Sequence, residues 1–329
     1  MKGRQGVGFR IKNQFIAPDV YDEHPDRWTR PANLSDRYDV DGIRLLSRKA
    51  TDALYIAMET VPGGLAFHRL GRQPWQTSVR AAAVSATQLL VQRAALELDI
   101  APEEFEALEP RMRAGNPVLQ ITDFLVNGAG FCRRLAERDT DGQRLIVRLM
   151  RSLVEDTRDK LVSSFLVQGH RQICSQACYL CLQRYGNRGY HGLLDWRLGL
   201  GFLRGLLDPS YRSGLDGRWA KFPEIADWPR LASDLAAEIV RLRPGQMSVA
   251  TAGPLSLPVV SLSRGGATER YLFVHPFWSL RFAGPASKVL ERTVTELGTE
   301  AVFFVDTFEA ARRPVLALDA AKARPADTP

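Results

Sequence analysis

The chain contains no apolar run approaching the roughly 18 to 20 residues that a membrane helix needs. Its opening segment, Met1 to Phe15, has no apolar block that could form the core of a secretory signal. These absences lead us to expect a cytoplasmic protein with no membrane contact. Cysteine is scarce, at four residues in 329. In a reducing compartment so few thiols are read as metal ligands or small buried apolar groups before they are read as disulfides. There is no phosphate loop of the form Gly-x4-Gly-Lys-Ser/Thr, so ATP hydrolysis by that route is excluded. His-x-Glu, which supplies the general base beside a deaminase zinc, is also missing. Ser163, Ser164 and His170 come without the elbow or oxyanion turn that would make a serine nucleophile.

What is present suits a soluble, folded chain long enough for two domains. Lys and Arg number 44 against 37 Asp and Glu, a net charge of +7. That excess favours polyanionic partners without requiring one. Residues 1–42 are rich in Pro, Asp and Arg and read as an irregular arm, with one strand at Gly8 to Phe15. Residues 43–208 read as one domain and 220–318 as a smaller α/β domain, joined by a linker at 209–219. Residues 319–329 read as a disordered polar tail.

Within these limits the periodicities are informative. Alternation over residues 43–60 predicts a strand with Leu54 and Ile56 on one side. Residues 76–98 predict a helix, stopped by Pro102 just beyond. Val118 to Thr122 predicts a strand, and Asn127-Gly128-Ala129-Gly130 a turn into a helix near Phe131. Residues 142–166 predict an amphipathic helix whose buried stripe is Leu145, Ile146, Leu149, Leu153 and Val154. A helix is expected from His191 to Leu207, and helices and strands alternate from Leu231 to Asp306. The fold class expected is α/β, a mixed sheet with long helices and a cysteine module, followed by the smaller α/β domain.

Three of the four cysteines, Cys174, Cys178 and Cys181, fall within eight residues. Cys178 and Cys181 have the Cys-x2-Cys spacing by which a tight turn offers two thiolates to one tetrahedral ion. Cys174 is close enough to be a third ligand. A closed structural zinc site needs four. Cys132 is the first choice for the fourth, with His170 and His191 as rivals, although Cys132 could equally be a small buried apolar residue. A thioredoxin-like redox pair would follow a strand and open a helix, and here no strand precedes it. The cofactor expected is a structural zinc ion, Zn2+.

The cluster carries a resemblance. Cys174-x3-Cys178-Tyr-x-Cys181-Leu-x2-Tyr185-x-Asn187, followed by His191-x2-Leu194-Asp195-Trp196, resembles the zinc-binding domain at the C-terminus of helicases of the mitomycin repair factor A (MrfA) type. The same domain is found in the DrmB subunit of the DISARM phage-defence system. Thr51 to Leu54, and Asp123 with Asn127-Gly128-Ala129-Gly130-Phe131, are similar to upstream features of that family, and the likeness covers roughly residues 43–207. A weaker likeness to the following region of DrmB runs through Val274 to Trp278. The chain departs from the pattern at Asn127, where the family has proline or glycine, and it lacks the large N-terminal portion of DrmB. The resemblance implies a non-catalytic accessory subunit that partners a superfamily-two helicase and contacts DNA in phage defence or repair.

Arg133, Arg134, Arg171, Arg184 and Arg188, with Arg197 beyond them, surround the cluster, and Tyr179, Tyr185 and Tyr190 are interleaved. Cations and stacking faces in that mixture suit a nucleic-acid contact, and they suit equally well a packed knuckle with ion-paired arginines. The Gly128-Ala129-Gly130 turn could cradle a phosphate, though tight packing is the simpler use of its glycines. Asp52, Asp123 and Asp306 are candidate carboxylates for a metal-dependent nuclease, the alternative function. Asp52 and Asp123 could instead cap a turn. A pure protein scaffold is the third reading.

Overall fold

The computed structural model describes residues 9–11, 14–16, 50–68, 70, 74–264, 267–282, 284–298 and 301–323. The chain divides into two units, Met1–Ala50 and Thr51–Pro329. In the first, an antiparallel pair is described, β1 (Phe9–Ile11) and β2 (Gln14–Ile16), in place of the single strand expected there. The rest of the expected arm, residues 1–42, lies outside the described residues.

The second unit is mixed α/β. β3 (Ala53–Ala57), β4 (Phe105–Arg113) and β5 (Asn116–Asp123) form an antiparallel sheet in the order β3-β5-β4. β4 has little apolar content and was not expected from the sequence. Its pairing slips between Leu108 and Arg111, where Pro110 cannot donate to the ladder. Helix α1 (Pro74–Leu98) is the central element. Val79, Ala83, Ala86, Leu89, Leu90 and Ala94 are all buried, and so are Ala81, Ala82 and Ala95 between them. Ser78, Ser85, Gln88, Gln92 and Arg93 are buried on it as well, so the helix is enclosed by protein around most of its circumference and its polar groups need partners there.

Helices α2 (Phe131–Ala136), α3 (Leu145–Glu155), α4 (Gln168–Ile173) and α5 (Trp196–Leu207) follow. The stripe expected on α3 is buried, but the helix ends at Glu155 and not at 166. Beyond it, the Asp159 carboxylate accepts the Leu161 and Val162 N–H groups and pairs with Arg93 at 2.6 Å. A side chain that captures backbone donors in this way competes with helix continuation. α5 starts at Trp196, five residues later than expected from His191, because Asp195 caps it by accepting from Arg197 and Leu198 N–H. α5 packs closely on α1. A Cβ added at Gly199 would lie 3.0 Å from Ser85 Cβ, so the helices approach as near as glycine allows.

A smaller α/β part follows, with α6 (Trp228–Leu242), β6 (Met247–Ala252), β7 (Leu257–Arg264), β8 (Ala267–Val274), α7 (Lys288–Glu296), β9 (Val302–Asp306), α8 (Thr307–Arg312) and α9 (Pro314–Ala323). Its sheet runs β6-β7-β8-β9. β9 is parallel to β8 through the α7 crossover and the other pairs are antiparallel. Val259, Leu272 and Val274 face the main core, whereas Val260, Leu262, Tyr271 and Phe273 pack in a second cluster with residues of α6 and α9. The main core runs from Leu54 through Trp196 to Phe308. The 209–219 segment, read as a linker, buries Tyr211 and Leu215, so it joins the two parts as packed chain. The expected tail starts inside a helix: α9 continues to Ala323 with Ala321 buried, and residues 324–329 lie outside the described residues. No helix among the described residues is long and apolar enough to cross a membrane.

Candidate metal centre

Four ligand atoms converge between α4 and the turn that follows it. His170, Cys174, Cys178 and Cys181 each offer one atom, and all four atoms lie within 4.8 Å of one another. The short helix α4 presents His170 one turn before Cys174, which ends it. Cys178 and Cys181 close a tight turn, in which Cys181 N–H donates to the Cys178 carbonyl at 3.1 Å. Cys178 N–H in return points at Cys181 Sγ at 3.2 Å.

The spacing is that of a coordination shell. Sγ of Cys181 is 3.9 Å from Sγ of both Cys174 and Cys178. Cys178 Sγ is 3.4 Å from His170 Nε2. Thiolates about 2.3 Å from a tetrahedral zinc would be about 3.8 Å apart, and an imidazole nitrogen and a thiolate slightly less. A disulfide would need about 2.05 Å. Cys174 and Cys181 are buried, as is His170, while Cys178 is partly exposed. The two buried thiols polarise each other. Hydrogen bonding from Cys174 outweighs burial and, with Cys178 N–H, pulls the Cys181 thiol below its ordinary range, whereas Cys181 and then burial push Cys174 up.

Groups beyond the four ligands hold the loop in place. His170 Nδ1 lies 2.8 Å from the Phe165 carbonyl. A carbonyl can only accept, so Nδ1 carries the proton and Nε2 keeps its lone pair toward the cysteines. Arg197 is buried and donates to the carbonyls of Cys174 at 2.8 Å and Arg171 at 2.8 Å, while its guanidinium stacks over Trp196 at 4.1 Å. Asp195 N–H donates to Ser85 Oγ at 2.8 Å, and Trp196 N–H to the Gln176 carbonyl at 3.0 Å. The loop is thereby fastened to α1 and α5. With four protein donors the shell is closed, which suits a structural ion rather than one that activates water.

The structure brings together three of the four cysteines and His170, which was one of the rivals for the fourth place. Cys132, the first choice, is elsewhere. It sits at the start of α2 with Sγ 3.5 Å from the Ile121 carbonyl, and its N–H donates to Asp123 Oδ1 at 2.8 Å. Burial first, and then Asp123, push its thiol well above the ordinary range. It is a buried apolar residue. His191, the other rival, turns Nε2 to the Arg184 carbonyl at 2.9 Å and Asn187 Oδ1 at 3.1 Å.

The candidate nuclease carboxylates are already engaged. Asp123 accepts N–H groups from Ala129, Phe131 and Cys132, so the anion held by the glycine turn is the chain's own carboxylate. Asp306 caps α8 through Phe308 N–H and accepts Ser78 Oγ at 2.6 Å. Asp52 pairs with Arg133 at 3.4 Å. None of the three belongs to a potential metal-holding group among the described residues.

The arginines divide. Arg171 is paired with Asp227 at 2.9 Å and Arg184 donates to Gln92 Oε1 at 3.1 Å. Arg134 pairs with Glu137 within its own turn. Arg133 and Arg188 are exposed, and Arg188 lies over the Tyr185 ring at 4.8 Å. Arg197, grouped with them in the sequence reading, proves to be the loop clamp, and its place two residues after the capping Asp195 was the available signal. The outer face of the loop is apolar and aromatic. Tyr179 is 66%, Leu180 71% and Tyr185 78% exposed, large values for such side chains.

No family model, no curated protein and no solved structure matches this chain.

Proposed function

We propose that the protein is a zinc-stapled accessory subunit that contacts DNA and partners a superfamily-two helicase, in a phage-defence setting like that of DISARM. The observation that supports the zinc reading is the convergence of three sulfurs and one nitrogen, from Cys174, Cys178, Cys181 and His170, within 4.8 Å of one another. That donor set and geometry favour zinc over the harder cations. The nucleic-acid reading is supported by the net charge of +7 and by the exposed aromatics beside exposed cations, Tyr179 and Tyr185 with Arg188. Such faces stack on bases while the guanidinium meets phosphate. The helicase partner and the defence setting rest on the resemblance of the cysteine segment.

The test is twofold. Purified protein should shift single-stranded or duplex DNA at low salt, with affinity falling steeply as salt rises. It should also co-purify with a helicase encoded beside it. Absence of both would refute the proposal.

A further inference from the structure

A second feature abuts the metal loop. The turn Tyr185–Tyr190 carries Tyr185 and Arg188 on its solvent side, and Gly186, Asn187 and Tyr190 on the wall of a cavity of about 490 Å3. Its opposite walls are α1 at Gln88 and Gln92, the start of β4 at Phe105, and Phe124. The volume lies within the roughly 300–1,000 Å3 of small-ligand sites.

The lining is chemically selective. Phe105, Phe124 and Tyr190 supply aromatic surface, and Phe124 is 59% exposed. Gln88 is more than nine-tenths buried. Its Oε1 accepts from Asn187 Nδ2 at 3.0 Å, and its Nε2 donor, on the cavity wall, has no hydrogen-bond partner among the described residues. Arg184 lines the cavity with one nitrogen bonded to Gln92 and its remaining N–H groups available. Glu103 and Glu106 stand on the rim as acceptors. Aromatic faces, an amide donor and carboxylate acceptors together match a flat, neutral heterocycle that both gives and takes hydrogen bonds. The rim carboxylates repel phosphate from the mouth of the cavity, while Arg188, exposed on the solvent side of the turn, attracts it there.

We infer that this cavity receives one unstacked nucleobase from a single strand lying across Tyr185 and Arg188. The inference rests on the proposed DNA contact and deepens it: the zinc loop positions a turn whose outside binds the backbone and whose inside takes a base. Single-strand binders gain affinity from each base they stack, in a sequence-tolerant way.

The test compares two fluorescein-labelled strands of equal length, one with bases and one wholly abasic, by anisotropy on the zinc-loaded protein. The base-bearing strand should bind about fivefold tighter or more. Gln88→Leu should erase most of that preference and leave abasic binding unchanged. Gly186→Phe is a second variant that blocks the cavity. Gly186 is exposed, its φ is not in the left-handed region, and a Cβ there would make only an ordinary 3.6 Å contact with Glu103. It should give the same loss with zinc content retained. Arg188→Ala should weaken both strands together. If both variants keep the base preference, or the wild type binds the two strands equally, the cavity is not a base site although the DNA contact stands. If neither strand binds, the DNA contact itself is wrong and the base site falls with it.

Discussion

His170 donates its Nδ1 proton to the Phe165 carbonyl across 2.8 Å, and that one bond leaves the Nε2 lone pair free to ligate a metal beside the cysteines. A histidine in the other tautomer would offer the cysteines a proton instead of a lone pair. Here the lone pair is directed at them before any ion arrives. His170→Ala should therefore lower zinc affinity by about 100-fold or more. Cys132→Ala should leave it unchanged and cost only about 1–2 kcal/mol of stability for the lost buried thiol. Competition with a chromophoric chelator measures the first effect, and urea unfolding the second.

Arg197 touches no ligand atom, yet its guanidinium holds the carbonyls of Arg171 and Cys174 on either side of the helix end that presents the site. Arg197→Met keeps much of the packing on Trp196 and removes those donors. Zinc affinity should fall about 10- to 100-fold while all four ligands remain. Chelator competition on the folded variant checks this.

Asp123 should give the fold a pH dependence of known sign. Burial works against its charge, but hydrogen bonds from Cys132 and the glycine turn outweigh it and hold the carboxyl below its ordinary 3.8. A group depressed in this way stabilises the fold above about pH 4 and loses that contribution as pH falls through its folded value. Asp123→Asn turns an amide donor toward N–H donors and should cost about 3 kcal/mol at neutral pH. The gap to wild type in urea unfolding should shrink steadily below pH 4.

Chelation should loosen the metal loop selectively. On the zinc reading, residues 168–190 would depend on the ion to hold three thiols together, whereas α1 and its packing against the sheets would not. Hydrogen exchange after metal removal should rise in that segment first and leave α1 protected.

Much of the fold was legible because its signals are local. The buried stripe of α3, the apolar strand β5 and the Cys-x2-Cys turn each declare themselves by spacing. The three clustered thiols needed only chain proximity. The fourth ligand did not, since His170 acquires its role from a carbonyl five residues back and from the folding of α4 onto the turn. Cys132 looked eligible because it was the one cysteine left over, but its glycine turn is wrapped around Asp123. β4 escaped notice because Glu106, Glu109, Arg111 and Pro110 do not read as a strand. Pairing with β5 makes it one. Asp195 starts the expected helix five residues late, because capping overrides apolar periodicity where an aspartate can reach the first free N–H groups.

X-ray absorption at the zinc edge of the purified protein is the most direct measurement of the metal centre. A zinc held by Cys174, Cys178, Cys181 and His170 predicts one ion per chain with three sulfurs near 2.3 Å and one nitrogen near 2.0 Å. Four sulfurs would return Cys132 to the site and contradict the geometry, and no bound metal at all would remove its foundation.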